Sequence, residues 1–523
     1  MKIKFQRHSI FLLLIIILSG IYLLITDAAH SGDKLNEDSG KNITIFPDYS
    51  NTVIPPNIAP LNVVIHESAP KYRVIIESET GEKIEISSQH PKINIPVKKW
   101  RKLLQANRGN ELRFKIAVFM NNSWNELQPI KNRIAPEEID SHLAYRLINP
   151  AYVWWRQMGI FQRNLESFEE KPILLNRATD GSCMNCHNFS GNDPDKMMIH
   201  LRATAASGTV IARDGELIKA NTGTKLTKAG AYPSWHPNGK MIAYSVNQLE
   251  MFFHAAGEPR DVLDRGSDLI VYNIDENMVT THPSISSPER METFPNWSPD
   301  GKYLYFCSSP KFELFIDGSQ YDHEQIKYDL MRIGYDSETG AWGELETVIA
   351  ASEIGLSMTI PKISPDGRFL LFCTARCGNF PIYMPDADIW MLNLETGNYQ
   401  RLAINSEQGD TYHSWSSNSR WFVFSSKRDD GVCARPYFAY VDETGKVYKP
   451  FVLPQEDPEY YDTYLKTFNV PELITGPVTI RPQTIVMTAF DNANKKNAVL
   501  DPAVTHLGRQ QAEEKMWQPA PKK

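Results

Sequence analysis

Five consecutive residues carry the densest chemistry in this chain: Cys183, Met184, Asn185, Cys186 and His187. Two thiols spaced by two residues and followed at once by an imidazole suit covalent attachment of a c-type haem. Cys183 and Cys186 would each add across a vinyl group, which places His187 under the iron as proximal ligand. His200 is the expected distal ligand, close in chain and an imidazole, with Met197, Met198 and Met158 as alternatives. Tetrahedral zinc wants four ligands, and no second Cys-x-x-Cys occurs. A thioredoxin-like dithiol needs a βαβ setting that the flanking residues lack. A plain Cys183–Cys186 disulfide stays open. The expected cofactor is therefore haem c, and the expected role is electron transfer rather than enzymatic catalysis.

Haem of this type is attached outside the cytoplasmic membrane, so the N-terminus bears on the argument. Lys2, Lys4 and Arg7 precede an apolar run from Ser9 to Ile25, and Asp27 opens a polar stretch. That is the layout of an export signal. The run sits at the low edge for spanning a bilayer, and Asp27-Ala28-Ala29 is a poor cleavage site. Residues 1–29 therefore read as a retained signal anchor with the basic end inside. The expected location is the bacterial cell envelope, anchored in the inner membrane with periplasmic domains, a cleaved secreted form being the alternative. No cysteine follows the run, which excludes a lipoprotein anchor. An oxidising compartment also makes a Cys377–Cys433 bridge conceivable. A net charge of −7 gives no electrostatic reason to expect nucleic acid as a partner.

The elements that must position the site follow from composition and period. A chain of 523 residues with 42% apolar and 22% charged residues has real cores and more than one unit. Residues 30–60, rich in proline towards their end, read as a tether. Residues 61–130 show short alternating runs separated by turn signals, as in a small immunoglobulin- or fibronectin-like β-sandwich. Trp100 and Trp124 belong to its packing. Residues 136–187 read as a helical segment leading into the Cys-x-x-Cys-His site. Pro136-Glu137-Glu138 opens a helix, Ile139, Leu143 and Leu147 recur at helical spacing, and a second helix is expected over 151–168. The aromatic residues there would wall one side of a haem crevice or, equally, form an interdomain packing seam.

From 188 onward the chain repeats. Tyr232-Pro-Ser-Trp-His-Pro-Asn-Gly-Lys240, Phe294-Pro-Asn-Trp-Ser-Pro-Asp-Gly-Lys302, Ile360-Pro-Lys-Ile-Ser-Pro-Asp-Gly-Arg368 and Tyr412-His-Ser-Trp-Ser-Ser-Asn-Ser-Arg420 each lead into an apolar strand. Proline entering the turn and glycine at positive φ make each a hairpin. Asp268, Asp329 and Asp388 head later strands and read as hydrogen-bond acceptors for neighbouring turns. A degraded copy spans Asn188–His200. These turns resemble the TolB-type, WD40-like (PD40) β-propeller family over roughly 188–455. The resemblance implies a toroid with a central channel used for protein contacts, and no chemistry. Five blades can be counted, and a sixth would come from 456–500, so the propeller is expected over 188–490 with a loose tail at 491–523. The absence of Gly-x-Ser-x-Gly excludes a prolyl-oligopeptidase-type hydrolase.

The fold class expected is thus mainly β: an N-terminal anchor, a small β-sandwich, a short helical segment and a five- or six-bladed propeller. Two functions of different class fit. One is a membrane-anchored haem protein whose propeller docks a protein partner. The other is a haem-free TolB-like scaffold in the envelope.

Overall fold

A hydrogen-bonded turn is the unit from which most of this protein is built. Asp300 Oδ1 accepts the Ser298 hydroxyl at 2.6 Å and the N–H of Lys302 at 3.1 Å, while Ser298 Oγ accepts the N–H of Tyr303 at 2.9 Å. Ser364, Asp366 and Phe369 repeat this pattern, as do Ser416, Asn418 and Trp421. Gly301 and Gly367 sit at φ of 72° and 74°, where a Cβ would be strained. Each turn joins the innermost strand of a four-stranded antiparallel blade to the next strand outward. The computed structural model describes residues 35–36, 43–150, 157–252, 261–311 and 323–505. Residues 1–29, read as an anchor, lie outside the described residues. Among the described residues no helix is long and apolar enough to cross a membrane.

Among the described residues, six blades form a closed ring. Their inner strands are Cys183–Phe189, Ala231–Trp235, Arg290–Trp297, Ser357–Ile363, Asp410–Trp415 and Thr467–Ile474, and each touches the next around the axis. Blades 1 to 5 run outward in chain order. Blade 6 takes only its inner strand from the C-terminal part of the chain. Its outer strands are His142–Ile148, Gly159–Asn164 and Glu170–Leu175. The two ends of the propeller therefore close on one sheet, His142 opposite Ile474 and Ile148 opposite Thr467.

This arrangement corrects the helices expected over 136–187. Leu143, Ala144, Tyr145, Leu147 and Ile148 are all buried, because blade 6 is covered on both faces by its neighbours and by the N-terminal domain. A strand buried on both faces loses the alternation that marks a strand, and spacing alone does not tell it from a helix. Tyr152 and Trp155 lie outside the described residues. Phe161 stacks on Tyr145 with ring centroids 6.3 Å apart, inside the blade and not beside a crevice. The propeller also starts earlier than residue 188, since Cys183–Phe189 is itself the inner strand of blade 1.

The expected sandwich contains a seven-stranded and a three-stranded sheet. It also contains a helix, Val97–Ala106, that alternation did not reveal. Trp100, Leu103 and Leu104 form its buried stripe, and Lys98, Lys99, Arg101 and Lys102 cover the other side. The tether reading fails for 43–60, where Tyr49, Ile54 and Ile58 are core residues. The domain shares one apolar core with blades 4, 5 and 6. Asp140 fastens it to the blade 5 turn, accepting the Ser417 N–H at 2.8 Å and its hydroxyl at 2.5 Å. At the far end, Lys496–Asn497 and Val499–Leu500 add parallel edge strands to blades 1 and 2, so the tail is pinned at least that far.

Candidate binding site at the axial channel

The Cys-x-x-Cys-His residues lie within the inner strand of blade 1. A bulge at Asn185 puts Cys183 opposite Arg202 and Cys186 opposite His200, whereas His187 faces Ile199. Residues paired directly share a face, so both thiols lie on the blade 2 side and the imidazole on the blade 6 side. Cys186 Sγ accepts the N–H of Tyr232 at 3.4 Å, and burial raises its thiol pKa. His187 hydrogen-bonds the backbone of Val470 in blade 6, and burial lowers its pKa to about 3, so the ring is neutral. His200 shares the face of Cys186 and meets Thr209 Oγ1 at 2.9 Å. The two histidines therefore point away from each other across the sheet.

Haem c needs both thiols and the proximal imidazole on one macrocycle, with an apolar slot beside them. The residues as folded do not fit it. Met158 Sδ accepts the Met184 N–H at 3.1 Å, and Met197 and Met198 pack into different cores on opposite sides of their strand. His187 Nε2 is buried with no hydrogen-bond partner among the described residues. Among those residues no group of three or more His, Cys, Asp or Glu could hold a metal ion. Cys183 and Cys186 remain thiols, and no disulfide joins Cys377 to Cys433.

The repeat accounts for the imidazole. Cys186-His187-Asn188-Phe189 aligns with Tyr232-Pro-Ser-Trp235, Phe294-Pro-Asn-Trp297, Ile360-Pro-Lys-Ile363, Tyr412-His-Ser-Trp415 and Val470-Pro-Glu-Leu473. In the last five, the first two residues form a bulge, and the first sits at φ between 46° and 53°. A bulge frees the second residue from donating to the ladder, which is why proline is tolerated in the middle of the sheet. His187 and His413 fill that proline position. His413, with no Cys-x-x-Cys before it, is also buried, is also lowered to about 3, and also bonds the bulge residue of the preceding blade, Ile360. Neutral burial of His187 is thus a property of its place in the repeat.

The third residue of each copy faces the axis. Asn188, Ser234, Asn296, Lys362, Ser414 and Glu472, one from each blade, line a cavity of about 460 Å³ at one mouth of the channel. Three of them also seam the ring by accepting the N–H of the residue that follows the equivalent position in the next blade. Ser234 Oγ takes it from Trp297 at 3.1 Å, Asn296 Oδ1 from Ile363 at 3.0 Å and Glu472 Oε2 from Phe189 at 3.1 Å. Asn188 Nδ2 also donates to Glu472 Oε2, at 3.0 Å. Burial raises the Glu472 carboxyl to about 7, partly offset by the Lys362 charge across the cavity. The sequence reading missed this set. Its signal was present: a polar residue between the proline position and the Trp, Ile, Leu or Phe of all six copies. A recess of about 510 Å³ also lies under residues 498–505, but it is formed by the tail and draws on no repeat position.

The class defined by this geometry is the six-bladed β-propeller with a polar axial mouth. No family model matches the chain, and no curated protein matches it. Among solved structures, a nidogen/laminin complex is similar at 9% identity and a TM-score of 0.37, over 64% of this chain and 99% of that one. The Cps50 (Swd1) β-propeller domain of Myceliophteria thermophila gives 12% and 0.28, over 52% and 88%. Prolyl oligopeptidase B of Galerina marginata gives 13% and 0.30, over 58% and 49%. Likenesses this slight carry no argument about activity.

Proposed function

We propose that this chain is a TolB-like propeller scaffold of the bacterial envelope, held at the membrane by residues 1–29, that docks a polypeptide segment at its axial mouth. The observation that carries the reading is the convergence of one polar side chain from every blade on a single open cavity. A closed ring holds those six groups without further ordering, so little conformational entropy is lost on binding. The unpaired backbone and mixed polarity of an extended segment match such a lining. In this reading Cys183 and Cys186 brace the junction of blades 1 and 2 and carry no haem.

Selection of random peptides on the immobilised protein tests the reading. A family of related sequences should emerge whose binding is weakened at least tenfold by S234R or S414R, which fill the mouth. Failure to enrich any sequence would sink the docking role. Protein exported from a host able to mature c-type haem should be colourless. A Soret band with a covalent pyridine haemochrome would instead restore the electron carrier.

A further inference from the structure

The ring position that lines the mouth has a structural duty at three blade junctions, and one residue is unable to perform it. Ser234, Asn296 and Glu472 each offer an acceptor to the next blade. Lys362 has three donors and no acceptor. The junction it would have seamed is held differently, with Trp415 Nε1 donating to the Lys362 backbone carbonyl at 3.0 Å. That leaves the ammonium without a hydrogen bond or ion pair among the described residues, in a half-buried position inside the cavity. The carboxylate that acts on it is Glu472 across the mouth, without a direct hydrogen bond, and that carboxylate already accepts two N–H groups. A half-buried cation with no partner, set in a cavity lined by polar groups, is free to take an anionic ligand. Around it are further donors: the Ser234 and Ser414 hydroxyls and the Asn296 amide line the same cavity and can turn an O–H or N–H towards a ligand.

We propose that the axial mouth binds a carboxylate, with the Lys362 ammonium as its anchor and the surrounding donors completing its coordination. A carboxylate presents about four lone-pair sites, which a lone ammonium cannot fill, and the extra donors at this mouth match that demand. Two sources share this chemistry, a peptide C-terminus and a small free carboxylate. The inference rests on the mouth being a docking face, and adds what that face recognises.

The test uses the full chain and the fluorescence of the tryptophans that line the mouth, with N-acetyl-triglycine, its C-terminal amide and acetate as probes. N-acetyl-triglycine should bind, and the amide should bind at least tenfold more weakly. K362M should weaken the acid at least tenfold, while K362R should stay within about fivefold. Removing an unpaired cation should not lower the melting temperature, so K362M should melt no lower than the parent. Competition by acetate at similar concentration assigns the site to small carboxylates; binding by the acylated peptide alone assigns it to a C-terminus. Equal binding of acid and amide, K362M binding like the parent, or a K362M protein that unfolds would each overturn the proposal. So would no binding of either carboxylate at 10 mM. If selected peptides bind and K362M leaves them unaffected, the docking face stands and carboxylate recognition falls.

Discussion

Single buried groups set how this protein responds to pH. Burial, reinforced by the charge of Asp268, raises the Glu292 carboxyl to about 8, and burial raises that of Glu472 to about 7. Unfolded glutamates ionise near 4.3. Between those values the folded chain keeps protons that the unfolded chain has released, so this contribution is full at low pH and lost as pH rises through 7 to 8. His187, His200 and His413, lowered to about 3 by burial, act in the opposite sense. They stay neutral in the fold while the unfolded chain takes up protons below about 6.5, so their contribution is lost as pH falls. The two sets oppose one another on the acid side, and above 6.5 only the acids act. The melting temperature should therefore fall between pH 6.5 and 8.5, and E292Q should reduce that fall. A profile that is flat there, or the same decline in E292Q, would refute the assignment.

Elements are tied to each other through their turns. The blade 5 turn carries Asn418-Ser419 where blades 3 and 4 carry Asp-Gly, and sequence alone makes it look degraded. In the structure Ser419 takes a φ of 60°, and its hydroxyl accepts the Asp366 N–H of blade 4 at 2.9 Å. Serine accepts a left-handed backbone, at roughly 1–2 kcal/mol, in a place where its side chain joins two blades. S419A keeps the strain and strands a donor, and should cost about 1 kcal/mol in urea unfolding. S419G loses the bond but removes the strain, and should stay near the parent. An S419A protein as stable as the parent would show that the inter-blade bond contributes nothing.

At the scale of the whole molecule, stability rests on closing the ring. The outer strands of blade 6 precede blade 1 in the chain, and its inner strand follows blade 5. A chain beginning at residue 176 should leave Thr467–Ile474 with a bare edge and show no cooperative thermal transition. Supplying residues 43–175 as a separate chain should restore it. A sharp transition from the shorter chain alone would show that closure is dispensable. The N-terminal domain belongs to the same argument, since it continues directly into blade 6 and shares a core with it.

The residues alone determined the propeller, because its turn is a local device. Proline, Asp or Asn, glycine and a serine three residues back make their hydrogen bonds within five residues, so the repeat is written in full along the chain. The role of Asp329 as a hydrogen-bond acceptor for a neighbouring turn was legible too. Asp329 does accept the Ala351 N–H, at 2.8 Å. Two matters depended on contacts hundreds of residues apart: that 142–175 are strands and that the blades number six. A third, that Cys183 and His187 face opposite sides, was set by the bulge between adjacent strands of blade 1. Strand pairing across that distance leaves no periodicity when both faces are buried. A bulge then decides, by one residue, which way each side chain points, and only the folded sheet shows where it lies.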